Sequence, residues 1–177
     1  QLELELKIPR THLSSSKLDW SRLSKNPNAI HLLEANQDKI NWHDLSSNPA
    51  AMNLLKANPD KIDLKELCLN PNAIDYIETI YPYINDQTYY DSNIENNLNW
   101  TYLSSNPNAI HILLNNYNLI DWVAFSCNPS AIKILLNTMY HIDWIEFSIN
   151  PNAISFLKNN PNAIDIESLC YNTNAID

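Results

Sequence analysis

With 177 residues, 11 Lys+Arg against 20 Asp+Glu, the chain carries a formal charge of −9 and a pI of about 4.8. Nucleic-acid binders work by neutralising phosphate with Lys and Arg, so this balance argues against a nucleic-acid partner. Glycine is absent, which argues against a P-loop or Rossmann cradle, and no apolar run reaches the ~18 residues of a membrane span.

In chain order, residues 1–16 come first. Leu2, Leu4, Leu6 and Ile8 alternate with Gln1, Glu3, Glu5 and Lys7 up to Pro9, a period of two. The segment is expected either to cap the first repeat or to lie extended and add to a partner's sheet edge. No secretory signal is visible, so a secreted protein is not expected. Gln1 is not preceded by Met, and Asp177 falls five residues into a repeat, the pattern of a processed chain or of a piece of a longer array.

Residues 17–177 form a tandem repeat, expected to be one domain. The tripeptides Asn26-Pro27-Asn28, Asn48-Pro49-Ala50, Asn70-Pro71-Asn72, Asn106-Pro107-Asn108, Asn128-Pro129-Ser130 and Asn150-Pro151-Asn152 place prolines 22, 22, 36, 22 and 22 apart. A seventh register follows at Asn172-Thr173-Asn174, and the one odd spacing is 22 plus a 14-residue insertion, 85–98. Such periods mark stacked arrays whose single units cannot bury a core alone.

Each unit reads as two helices of roughly ten and six residues. Asn before Pro is a helix start, since the Asn side chain accepts from free N–H groups and Pro has none to lose. Apolar residues follow at helical spacing, as in Ile30, Leu32 and Leu33 or Ile132, Ile134 and Leu135. Asn36, Asn58, Asn116 and Asn160 close this helix; without glycine, Asn is the residue expected at left-handed turn positions. The second helix opens after a capping column, Asp19, Asn41, Asp63, Asn99, Asp121, Asp143 and Asp165. An alanine column (Ala29, Ala51, Ala73, Ala109, Ala131, Ala153, Ala175) marks close helix approach. Trp20, Trp42, Trp100, Trp122 and Trp144 share a column with Leu64 and Ile166, so they read as core rather than as a stacking row for bases or sugars. Cys68 and Cys170 replace Ser in its column and read as small buried residues. The fold class expected is therefore all-α, an α-solenoid of about seven 22-residue helix-turn-helix repeats.

Departures from the rule carry the candidate sites. The polar insertion 85–98 bears Tyr89 and Tyr90, either on a passive loop or against a partner. Across the array, variable columns that hold Glu34, Lys56, Arg22 and Asp44 early on hold Leu114, Leu136, Val123, Ala124, Ile145, Cys127 and Ile149 later. Apolar surface of that extent is either folded inward or used against another chain. The interface candidates are Leu114, Val123, Leu136, Ile145, Ile149, Tyr89 and Tyr90.

Catalytic and metal motifs are missing. The five histidines fall in scattered positions, and no H-E-x-x-H, C-x-x-C or G-x-S-x-G occurs. The capping aspartates recur with the period, as structural caps do, and no carboxylate pair breaks it. No enzyme activity and no cofactor are expected.

The unit, seen in Lys39-Ile40-Asn41-Trp42 through Leu45-Ser46-Ser47-Asn48-Pro49 and in Asn26 through Glu34, resembles the short D-W-x-x-L-S-x-N-P-N-A-I-x-L-L-E-x-N repeats of giant nucleocytoplasmic DNA viruses. The resemblance covers about residues 17 to 177 apart from the insertion, and heavy Asn, Ile and Tyr use suits AT-rich coding. It implies a viral protein made in the infected cell, placed in the host cytoplasm or in the virion, and it transfers no binding residue. Two functions are the resulting expectations: a protein-interaction scaffold with a viral or host partner or with itself, and a structural minor component of the virion. A modular RNA reader is a weaker third that the acidic charge opposes.

Overall fold

The computed structural model describes residues 18–85 and 97–175. The chain forms two compact units, one ending at Ile62 and one beginning at Asp63. Among the described residues all regular structure is helical. In the first unit lie α1 (Trp20–Lys25), α2 (Ile30–Glu34), α3 (Trp42–Ser46) and α4 (Met52–Lys56). In the second lie α5 (Leu64–Leu67), α6 (Ile74–Ile80), α7 (Trp100–Ser105), α8 (Ile110–Asn115), α9 (Trp122–Ser126), α10 (Ile132–Asn137), α11 (Trp144–Ile149), α12 (Ile154–Asn159) and α13 (Ile166–Leu169). The segment 1–16 and Tyr89 and Tyr90 lie outside the described residues, as does nearly all of the insertion.

The odd-numbered helices start as the capping column requires. Asp19, Asn41, Asp63, Asn99, Asp121, Asp143 and Asp165 each accept, through the side chain, an N–H from two or three residues further on. The even-numbered helices are shorter than expected, five to seven residues. A single 3₁₀ turn stands at both ends of α2 (Pro27–Ala29 and Gln37–Lys39) and of α12 (Pro151–Ala153 and Pro161–Ala163), and at one end of each of the others. The reason is local: the Asn before Pro accepts from the N–H only two residues on, Asn26 from Asn28 at 3.0 Å, and this Asx turn is tighter than an α-helical start.

The four asparagines that close the even-numbered helices are not left-handed. Asn36, Asn58, Asn116 and Asn160 sit at φ of −138°, −135°, −124° and −135°. Their amides instead donate to the carbonyl four residues back, at 2.9 Å in all four. Thr138 fills the same column and does the same with its hydroxyl, at 2.9 Å to the Ile134 carbonyl. The column selects a side-chain donor, and with φ negative glycine has no special use there.

Within each unit the odd-numbered helices stack: α1 on α3 in the first, and α7 on α9, α9 on α11 and α11 on α13 in the second. The alanine column from Ala29 to Ala153 is wholly buried, and Leu45, Leu67, Leu103, Phe125 and Phe147 fill the space between. The tryptophans are corrected to half-buried boundary residues. Three positions further along α3, α7, α9 and α11, Leu45, Leu103, Phe125 and Phe147 take the interior, while Leu23 of α1 is half-buried.

The repeats are joined by polar side chains. The buried Asn128 accepts from Ser130 N–H at 2.9 Å, and its amide donates to the carbonyls of Ser104 (2.8 Å) and Asn106 (2.9 Å) one repeat back. Asn150 donates to Ser126 and Asn128, and Asn172 to Ser148 and Asn150, in the same way. Asn106 reaches across the insertion to the carbonyls of Cys68 and Asn70, so the extra residues leave this joint intact. In the first unit Asn48 donates to the Ser24 carbonyl. The serine column does a second joining job: Ser126 donates to the Trp122 carbonyl at 2.8 Å and accepts the N–H of Asp143 at 3.0 Å, and Ser24 and Ser148 repeat the pattern. Buried polar groups are tolerated when every donor and acceptor is matched, and a matched set fixes one register.

Candidate protein-binding surface

The variable surface grows from two columns of each repeat, the 3₁₀ turn after the even-numbered helix and the exposed residue after the Trp. In the first unit both are charged or polar. The turns read Gln37-Asp38-Lys39 and Pro59-Asp60-Lys61, and each lysine lies over a tryptophan face, Lys39 Nζ 5.2 Å from the Trp20 ring centre and Lys61 Nζ 4.6 Å from that of Trp42. Such cation–π contacts cover the exposed indole with charge.

In the second unit these columns become aromatic and apolar at Val123, Met139, Tyr140 and Ile145, while Lys65, Thr101 and Glu167 keep the column after the Trp polar in its other repeats. The turns there are Tyr117–Leu119, Met139–His141 and Pro161–Ala163. His141 takes the lysine's place and stacks on Trp122 with centroids 3.8 Å apart and planes 2° from parallel, while Tyr117 meets the same indole edge-on at 5.1 Å. Tyr140 lies beside His141 and is 81% exposed; Val123 and Ile145, in the column after the tryptophans, are 52% and 55% exposed.

One repeat further on, the surface opens into a groove of about 600 Å³. Trp144 and Phe156 line it, nearly parallel with centroids 6.0 Å apart, because α12 lies against the tryptophan that opens α11. Met139, Ile145 and Pro161 add apolar lining, and Asn159 and Asp165 add polar groups. Asp165 already caps α13 through the Ser168 N–H at 2.8 Å.

Of the residues singled out from sequence, Ile145 is brought to the groove and Val123 lies on its column one repeat earlier. Leu114, at 42% exposed, and the half-buried Leu136 and Ile149 do not line the groove. Met139, Tyr117, Tyr140 and Phe156 were not singled out. The signal was present, since aligning the turn column shows Asp38 and Asp60 giving way to Tyr140.

Charge follows the same division. From Asp63 onward there are 3 Lys and no Arg against 13 Asp+Glu; the chain totals of 11 and 20 leave 8 and 7 before it. Burial first, then the negative charge of Glu146, raises the Cys127 thiol above its ordinary pKa. Cys68, fully buried, is pushed up to about 11, chiefly by desolvation. No cluster of His, Cys, Asp or Glu that could hold a metal occurs among the described residues, and no described helix is long and apolar enough to cross a membrane.

Comparison with family models, with curated proteins and with solved structures returns no match.

Proposed function

We propose that the chain is a non-enzymatic protein-interaction array, virus-encoded as its repeat resembles, that binds a protein through the aromatic and apolar face of its second unit. The observation that carries this reading is the exposed set Val123, Tyr140, Met139 and Ile145 running into the Trp144–Phe156 groove, where the first unit has Ser21 and His43, Asp38 and Asp60, and Gln37 and Pro59 at the same columns. Aromatic residues and Met are enriched at interface centres because they bury large area around few polar groups. A repeat scaffold suits the role, since its joints lie in fixed columns and leave the variable ones to a partner.

The test compares the wild-type chain with Met139→Glu/Ile145→Glu as bait in extracts, with bound proteins identified by mass spectrometry. A protein retained by the wild type and lost with the variant, whose circular dichroism and unfolding midpoint are unchanged, is the expected result. Identical bound sets from a folded variant sink the reading.

A further inference from the structure

We infer that the occupant of the Trp144–Phe156 groove is a basic peptide segment, apolar at its centre and flanked by Lys or Arg. The inference rests on the proposed binding role and names the chemistry of the partner.

The groove sits in a one-sided electrostatic setting. Asp165 is part of its lining. Glu167, exposed, stands in the column of Val123 and Ile145 one repeat on, and Glu146 is adjacent to Ile145 on α11. With Asp143 this makes four carboxylates between Met139 and Glu167, against Lys158 on α12. None of the four has an ion-pair partner among the described residues, and the two caps are engaged only with backbone N–H groups. In the first unit the buried carboxylate, Asp44, is paired at 3.0 Å with Lys25, and lysines cover the tryptophans. Around the groove the second unit supplies no such cation: Asp143, Glu146, Asp165 and Glu167 have no ion pair among the described residues, and the ring partners of Trp122 and Trp144 are His141 and Phe156 rather than lysines.

An apolar segment alone would fill the groove but leave those carboxylates close to a desolvated edge. An acidic segment would add like-charge repulsion. A segment with apolar centre and cationic flanks matches both features: its side chains enter between Met139, Trp144 and Phe156, and its ammonium or guanidinium groups meet Asp165, Glu167 and Glu146. Charge at a rim acts mainly on encounter and selectivity, so the pairing should be salt-sensitive while the apolar contact is not.

Fluorescence anisotropy with three labelled peptides provides the test: a Leu-Phe-Leu centre flanked by lysines, the same centre flanked by glutamates, and lysines around a serine centre. The lysine-flanked apolar peptide should bind at least about tenfold tighter than either other peptide at low salt, with the margin over the glutamate peptide shrinking in high salt. Glu146→Gln/Glu167→Gln should weaken it severalfold at low salt only, and Ile145→Glu should abolish the preference for an apolar centre. Equal binding of the lysine and glutamate peptides overturns the inference, as does binding to none of them. If the bait experiment still loses a protein with Met139→Glu/Ile145→Glu, the broader binding role stands while this occupant falls. Equal binding of the lysine–serine peptide shows attraction by charge alone and overturns the inference too.

Discussion

Asn128 gives the sharpest measure of whether polar joints hold the repeats. Asn128→Ala removes two donated bonds to carbonyls one repeat back, at 2.8 and 2.9 Å, and one accepted bond from Ser130 N–H at 2.9 Å. At a net ~1 kcal/mol for each bond the loss is about 3 kcal/mol. The Asn106 carbonyl keeps the Ala109 N–H and the exposed Ser130 can turn to water, but Ser104 is buried, and stranding its carbonyl adds about 1 kcal/mol or more. A total near 4 kcal/mol is a large share of the ~5–15 kcal/mol that stabilises a typical domain. Asn128→Asp is isosteric and keeps the accepted bond, but aims a carboxylate oxygen at two carbonyls. Its folded pKa should therefore rise above the ~3.9 of the unfolded chain. A raised folded pKa means stability is retained below the unfolded value and lost as pH climbs to the folded one, so the aspartate variant should weaken steadily above about pH 4. The alanine variant should keep a constant deficit over the same range. Asn26→Asp is the control: Asn26 is exposed, caps Asn28, and its amide donates to no group among the described residues, so its effect should stay within about 0.5 kcal/mol. Urea unfolding followed by tryptophan fluorescence and circular dichroism reads all three. A deficit under ~1 kcal/mol for Asn128→Ala, or a pH-independent Asn128→Asp, refutes the joint as a stabilising element.

The remaining predictions are narrower. Burial acts to raise the Asp44 pKa, but the Ser21 hydroxyl and Lys25 outweigh it and leave it below the ordinary carboxylate value. The stability from this group is therefore present above about pH 4 and is lost as pH falls through the lowered folded value; Asp44→Asn should flatten that part of the acid limb of an unfolding curve. Thiol labelling of the native chain near pH 8 should modify the exposed Cys170 first, Cys127 slowly and the fully buried Cys68 only on unfolding, and early labelling at Cys68 would contradict its placement. Thr138→Val keeps shape but removes the hydroxyl bonded to the Ile134 carbonyl at 2.9 Å, and should cost about 1 kcal/mol in the same urea assay; no change would show that the side-chain donor in this column is dispensable.

Much of this architecture could be read from the repeat, because its columns report local chemistry. The caps at Asp121 and Asp143, the proline turns and the buried alanines follow from helix-end and close-packing rules that act within a few residues. The half of the asparagine's role that joins repeats was not legible. Capping logic uses the Oδ1 of Asn128, while its amide depends on where the carbonyls of Ser104 and Asn106 lie in space. The tryptophans were misplaced for a related reason: substitution by Leu64 and Ile166 signals an apolar contact but does not distinguish an interior position from a boundary one. Val123 and Ile145 were found as apolar residues in a variable column that is otherwise polar. Phe156 was not, because it sits in an ordinarily apolar column and acquires its role only by lying against Trp144.

The joints also constrain how such a chain can change length through descent. Their bonds link residues 17, 22 and 24 apart, and across the extra segment 31, 36 and 38, each longer by the same 14. A deletion or addition within a cap, a serine position or an asparagine turn would misalign donor and acceptor and strand buried groups. Gains and losses of DNA should therefore persist mainly as whole periods, or within the sequence between Ile84 and Leu98, across which the joints on either side keep their register. Relatives of this gene are accordingly expected to differ in copy number far more than in the size of the copy.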